Sequence, residues 1–215
     1  MSKDYNDSFI VTFWERIFYY LSKISIFYWV RKIAKNKGYF LVDAWVLGNI
    51  LLSFLAVVST YYINSRFKAI FWIILIYGVL RVFEIIVYQV NVLFFDRIRT
   101  KKNKREYKIK SVTRTIILLL HNFVEIMLWY SVMMICLLKI GGNFPDDSSV
   151  WDFIRANILN VTIFNADEIE QIAGSKNSTI ANLIFFENIT GLFMTLLCLA
   201  RFINLLPPVE SEEEM

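Results

Sequence analysis

The sequence predicts an all-α membrane protein: four membrane-spanning helices, an N-terminal helix lying in the interface, and a short re-entrant helix before the last span. Three observations carry that prediction. Of the 215 residues, 57% are hydrophobic, above the roughly 45–50% of an ordinary soluble domain, so the excess has to face lipid. Four runs, Leu41–Ile63, Ala69–Phe95, Ile116–Ile140 and Ile180–Leu206, reach the roughly 20 residues needed to cross a hydrocarbon core of about 30 Å. Lys and Arg are concentrated in alternate connections, the pattern that orients multi-span proteins.

Residues 1–40 carry seven Lys/Arg and contain Phe9–Val30 (FIVTFWERIFYYLSKISIFYWV). This segment is nearly long enough to span, but Glu15, Arg16 and Lys23 interrupt it and Tyr, Trp and Phe crowd it. That composition favours a helix in the interface. The same charges, with no small-residue cleavage pattern behind them, argue against a signal peptide. Residues 41–95 form a first transmembrane hairpin, with only Arg66 and Lys68 basic in its turn. A basic link over 96–114 (DRIRTKKNKREYKIKSVTR) holds nine Lys/Arg against two acids. Residues 115–206 contain the last two spans. An acidic tail over 207–215 follows, and Pro207-Pro208 closes the last helix. Lys/Arg excess marks the cytoplasmic side, so both termini and the link are expected there. The link's charges attract anionic lipid, and with Tyr107 as its one aromatic it carries no stacking pattern for nucleic acid. Cys136 and Cys198 sit in apolar runs and read as small hydrophobes rather than a disulfide.

Ionisable residues inside spans are costly unless paired, and they face the bundle interior or water. Arg81 and Glu84 lie three apart on one face of the second span. His121, Asn122 and Glu125 lie in the third, with His121 and Glu125 one turn apart. Two readings stand. Arg81 pairs with Glu84 and Glu125 and holds the second span to the third, or the cluster is functional, as a proton or ion relay or as a gate sensitive to pH through His121. One arginine is too few for a voltage sensor. His121-x-x-x-Glu125 has no third ligand nearby and the chain has no other histidine, so no metal site is expected. No nucleophile elbow, P-loop or GxGxxG is present, so neither an enzyme nor a cofactor is expected. In the fourth span Asn188, Gly191 and Thr195 are candidates to line a conduit, with helix packing as the alternative for Gly191.

The connection GGNFPDDSSVWDFIRANILNVTIFNADEIEQIAGSKNST carries Arg155 and Lys176 against six acids. Within it Trp151, Ile154, Ile158 and Val161 recur at i, i+3, i+7 and i+10, one apolar helical stripe. Ser149 and Asp152 match a capping box at its start. The helix is too short to cross, as a re-entrant element is.

The order of an outer helix, a short helix starting near a Trp/Phe pair, a Thr-initiated stretch, an acidic residue and a long inner helix resembles the tetrameric cation-channel pore domain. The resemblance covers about residues 116–206. Thr162-Ile163-Phe164-Asn165-Ala166-Asp167 stands where potassium channels have Thr-Val-Gly-Tyr-Gly-Asp. Thr162 and Asp167 are identical, and both filter glycines are replaced. The resemblance implies a homotetrameric pore with its filter around Thr162–Glu168 and the fourth span lining the conduit. Potassium filters line the pore with successive carbonyls, and their glycines permit positive φ. Phe164 and Ala166 oppose that geometry, which leaves rings of Asp167, Glu168 and Glu170 to favour cations with low selectivity. On the alternative reading these acids belong to a solvated loop, and the protein is a non-conducting anchor or signalling effector with a cytoplasmic partner. A third reading is a small transporter or ion relay built on Arg81, Glu84, His121 and Glu125.

Overall fold

The computed structural model describes residues 8–25, 28, 32, 40–102, 111–145, 147–174 and 177–205. The acidic tail with Pro207-Pro208, the middle of the basic link with Tyr107, and Lys176 lie outside them. In chain order the helices are α1 (Phe9–Ile24), α2 (Phe40–Tyr62), α3 (Lys68–Val90), α4 (Asp96–Lys102), α5 (Val112–Gly141), α6 (Val150–Ile163), α7 (Asp167–Ala173) and α8 (Ser178–Leu205). Among the described residues every regular element is helical. Four helices, α2, α3, α5 and α8, are long and apolar enough to cross a membrane. This is an all-α membrane protein whose spans begin and end close to the bounds of the apolar runs. The end of the bundle that carries the connection from α5 to α8 is called the upper end below.

The second span runs on where a link was expected. A five-residue π-helical turn, Asn91–Phe95, joins α3 to α4 without a break, so the helix continues to Lys102 over 35 residues. At 1.5 Å per residue that is about 52 Å, well beyond the hydrocarbon thickness. Its last turns therefore leave the bilayer carrying Arg97, Arg99, Lys101 and Lys102. The widened turn puts the Asn91 amide where it donates both to the Val87 carbonyl (2.9 Å) and to the Phe18 carbonyl of α1 (3.0 Å). Asn91 Oδ1 accepts from Arg99 (2.8 Å). With the Phe18–Phe95 stack at 5.7 Å and the Lys102–Glu15 ion pair at 2.6 Å, these contacts hold α1 against the lower end of the second span. No residue of α1 is fully buried, in keeping with a helix at an interface.

The third span, α5, is the core. In its most apolar stretch 78% of residues are buried within the chain, against 22% for α2, so α2 presents most of its surface to the bilayer. Ile126, Trp129, Val132, Met134, Ile135 and Leu138 of α5 are each at most 1% exposed. α3 approaches closely at Gly78, where an added Cβ would meet Trp129 Cε3 at 3.2 Å and Met133 Cγ at 3.3 Å. Both ends of α2 are tied to α5. At the lower end Arg114 Nη2 and Nε both donate to Asp43 Oδ1 (2.5 and 3.1 Å), and Nε also reaches Oδ2 at 3.4 Å, a charge-assisted pair. At the upper end Lys139 Nζ donates to the carbonyls of Tyr61 and, at 2.6 Å, Ile63. That satisfies acceptors which the end of a helix leaves without partners.

Candidate functional site

The short helix α6 opens as the sequence requires. The Ser149 hydroxyl accepts from the Asp152 amide, and the Asp152 carboxylate accepts from the Ser149 N–H at 2.8 Å. The backbone N–H of Ser149, then its hydroxyl, hold the Asp152 carboxyl below the usual carboxylate range. The predicted apolar stripe is half right. Ile154 and Val161 are buried, but Trp151 is 62% exposed and Ile158 is exposed as well. The buried face is instead Phe153, Ile154, Ala156, Asn157, Asn160 and Val161. The reason is that α6 packs against two helices, α5 and α8, and meets polar groups on both.

The seam between α6 and α8 fixes how deep α6 goes. An added Cβ at Gly191 would lie 3.1 Å from both the carbonyl oxygen and Cγ1 of Val161, so only glycine lets the two backbones approach this far. Gly191 follows Ser178, the first residue of α8, by 13 residues, about 20 Å along the axis. A second contact agrees with that depth. The Tyr130 hydroxyl meets Thr190 Oγ1 at 2.8 Å and donates to the Phe186 carbonyl at 3.2 Å. Tyr130 itself lies 11 residues from the upper end of α5, about 17 Å. The C-terminal end of α6 therefore reaches near the middle of the spans, and the chain turns back there into α7.

That turn contains the proposed filter residues. Thr162 and Ile163 complete the last turn of α6, with the Thr162 hydroxyl donating to the Ile158 carbonyl (2.6 Å). They form no extended row of carbonyls. Phe164, expected to oppose positive φ, adopts φ 55°, and its N–H donates to the Asn160 carbonyl (3.0 Å) as a left-handed helix cap. Asn165 Oδ1 accepts from the Asp167 amide (2.8 Å), Ala166 precedes α7, and Asp167 and Glu168 occupy the first turn of α7. Glu168 is ion-paired with Arg155 of α6 at 2.8 Å, whereas Asp167 and Glu170 are exposed. Ile163 is 62% and Phe164 50% exposed. The three conduit candidates on α8 do not share an exposed face. Gly191 is buried against Val161, Asn188 is half-buried, and Thr195 is exposed among Leu192, Leu196 and Leu199.

The intramembrane charges assemble into an ion pair between α3 and α5. Arg81 Nε and Nη2 donate to the two oxygens of Glu125 (2.6 and 3.1 Å), and Nη1 donates to Glu84 Oε2 (2.5 Å). The Trp129 indole N–H adds a bond to Glu125 (3.3 Å), and the Ser25 hydroxyl donates to Glu84. Glu125 is 0% and Arg81 5% exposed. This arrangement joins the second span to the third. His121 is not part of it: its Nδ1 bonds the Ile117 carbonyl of its own helix (2.7 Å). A cleft of about 160 Å³ lined by Leu21, Ser25, Tyr77, Arg81 and Glu84 borders the cluster on the α1 side.

A second buried polar cluster, between α6 and α8, was not anticipated as a site. Asn160 Nδ2 donates to Glu187 Oε2 at 2.6 Å, and Asn157 Nδ2 donates to the Phe153 carbonyl at 2.7 Å. Asn157, Asn160 and Glu187 are each 0% exposed. One signal was available: Glu187 is a carboxylate well inside a span, the residue class that marks functional sites in membranes. Its partner was not legible, because Asn160 lies in a different helix at no fixed sequence spacing. No protein-family model, curated protein or solved structure matches this chain.

Proposed function

We propose that copies of this chain assemble around an axis, as a tetramer in the resemblance, to form a cation-conducting pore of low selectivity. The α6–α7 turn and the exposed face of α8 line it. One observation carries the reading: the chain reverses direction near the middle of the spans, through the three non-helical residues Phe164, Asn165 and Ala166, with Phe164 and the flanking Ile163 and Asp167 exposed. Irregular backbone at that depth is tolerated only where protein covers it or where it borders water. Neighbouring copies around a water-filled axis supply both. The sign of the permeant ion follows from the same residues. The last carbonyls of α6 and the negative end of its dipole lie at the turn, beside the exposed carboxylates of Asp167 and Glu170. Carboxylate rings favour cations. The basic helix α4 at the lower end suits anionic lipid.

The test is current across a planar bilayer containing the purified full chain, wild type beside Asp167→Asn/Glu170→Gln. The pore reading expects cation-selective unitary currents whose cation preference falls in the double variant. A silent, monodisperse and correctly folded preparation at all voltages would favour the non-conducting anchor instead.

A further inference from the structure

We infer that the seam between α6 and α8 binds a monovalent alkali cation, held by Glu187 with the side-chain oxygens of Asn157, Asn160 and Asn188. The site lies within one chain and stands whether or not the assembled protein conducts.

On the facing stretches of α6 and α8, four buried side-chain oxygens have no hydrogen-bond partner: Glu187 Oε1 and Asn160 Oδ1, whose side chains meet across the seam, and Asn157 Oδ1 and Asn188 Oδ1 within one turn of them. All four are acceptors, and three belong to residues that are 0% exposed. Buried side-chain oxygens ordinarily find a donor, and each exception calls for a reason. The Asn157 amide nitrogen already donates to the Phe153 carbonyl and to Met134 Sδ of α5 (3.5 Å), and that of Asn160 to Glu187, so neither side chain can be turned over without losing a bond.

The Gly191–Val161 contact brings these groups together. α6 and α8 both descend from the upper end, so one turn above Val161 faces one turn above Gly191. On α8 that turn holds Glu187 and Asn188, four and three residues before Gly191, each a one-turn neighbour of Gly191 on either flank of the contact. On α6 it holds Asn157, four residues before Val161, with Asn160 beside it. The measured Asn160–Glu187 bond at 2.6 Å spans this gap.

Chemistry then selects the occupant. A proton on Glu187 converts one acceptor to a donor and satisfies one further oxygen, leaving two without a partner. A cation satisfies several oxygens together and neutralises the buried carboxylate, which is otherwise costly to bury. Oxygen-only ligands select hard cations. One carboxylate balances a single positive charge, whereas a divalent ion would leave a net charge buried. The negative end of the α6 dipole, within the last two turns that carry Asn157 and Asn160, adds to the attraction.

The experiment is thermal unfolding of the purified full chain in detergent, at constant ionic strength, in choline chloride against NaCl, KCl and CaCl₂, and at two pH values. Wild type is expected to show a saturable rise in midpoint with Na⁺ or K⁺ over choline, with no larger rise from Ca²⁺. Glu187→Gln abolishes the rise and unfolds in choline at or above the wild-type midpoint. Asn157→Ala keeps the rise but shifts its half-saturation at least tenfold upward, so the proposal remains testable if Glu187→Gln does not fold. A midpoint that ignores the alkali cation but follows pH assigns the seam to a proton and overturns the proposal. So does an alkali-cation effect that survives unchanged in both variants, or a larger effect from Ca²⁺.

Discussion

Arg81 spends two of its nitrogens on Glu125 and a third on Glu84, in a region where an unpaired charge is expensive. Removing one partner of a buried pair leaves the other uncompensated, at a cost of roughly 3–5 kcal/mol. Replacing the whole group with apolar residues of similar volume is often neutral. Arg81→Met alone is therefore expected to lower the unfolding free energy by about 3–5 kcal/mol, and Arg81→Met/Glu84→Leu/Glu125→Leu to recover most of that, measured by reversible unfolding in mixed micelles. A triple variant no better than the single one contradicts a purely structural pair. The pair itself was legible in the sequence, because ionisable residues at membrane depth have few permitted partners. His121 was grouped with it on helical spacing alone. Spacing does not reveal that the imidazole is satisfied one turn back on its own helix.

The elements α6 and α8 depend on one small residue. Gly191→Ala places a methyl group 3.1 Å from the Val161 carbonyl oxygen and Cγ1. The nearest atoms include backbone, which cannot swing aside, so the helices must separate. Overpacking of this kind costs about 1–3 kcal/mol, read as a lower unfolding midpoint. Gly48→Ala in α2 is the matched control, since an added Cβ there meets nothing within 4 Å. Equal effects of the two substitutions would contradict the close approach of α6 and α8. The existence of α6 and its start at Ser149 were legible, because a capping box is a local signal. Its buried face was not. Hydrophobic periodicity finds the apolar side of a helix, and α6 turns Asn160 inward to Glu187 on α8 and Asn157 inward against Met134 of α5 while leaving Trp151 and Ile158 exposed.

Across the whole molecule, the other three spans pack around α5, and α6 descends beside α8 to reverse near mid-depth. The span count and bounds were legible because lipid imposes a minimum apolar length on each crossing. The run from α3 into α4 was not, since a π-helical turn held by Asn91 leaves no break in composition. The exposed side of α8 and the α6–α7 turn are where one chain alone is incomplete in a bilayer, and the pore reading rests on water reaching that turn. The most direct measurement places a cysteine at Phe164 in a Cys136→Ala/Cys198→Ala background. The protein is reconstituted in liposomes and treated with a membrane-impermeant charged thiol reagent. Val79→Cys, exposed on the second span at about 17 Å from its upper end, reports lipid at similar depth. Thr179→Cys, exposed at the start of α8, reports free access. Phe164→Cys is expected to be labelled at a rate within about tenfold of Thr179→Cys, since thiol labelling follows solvent access, while Val79→Cys stays unlabelled. A Phe164→Cys thiol as inert as Val79→Cys, with Thr179→Cys reacting, would contradict a water-lined turn and with it the pore.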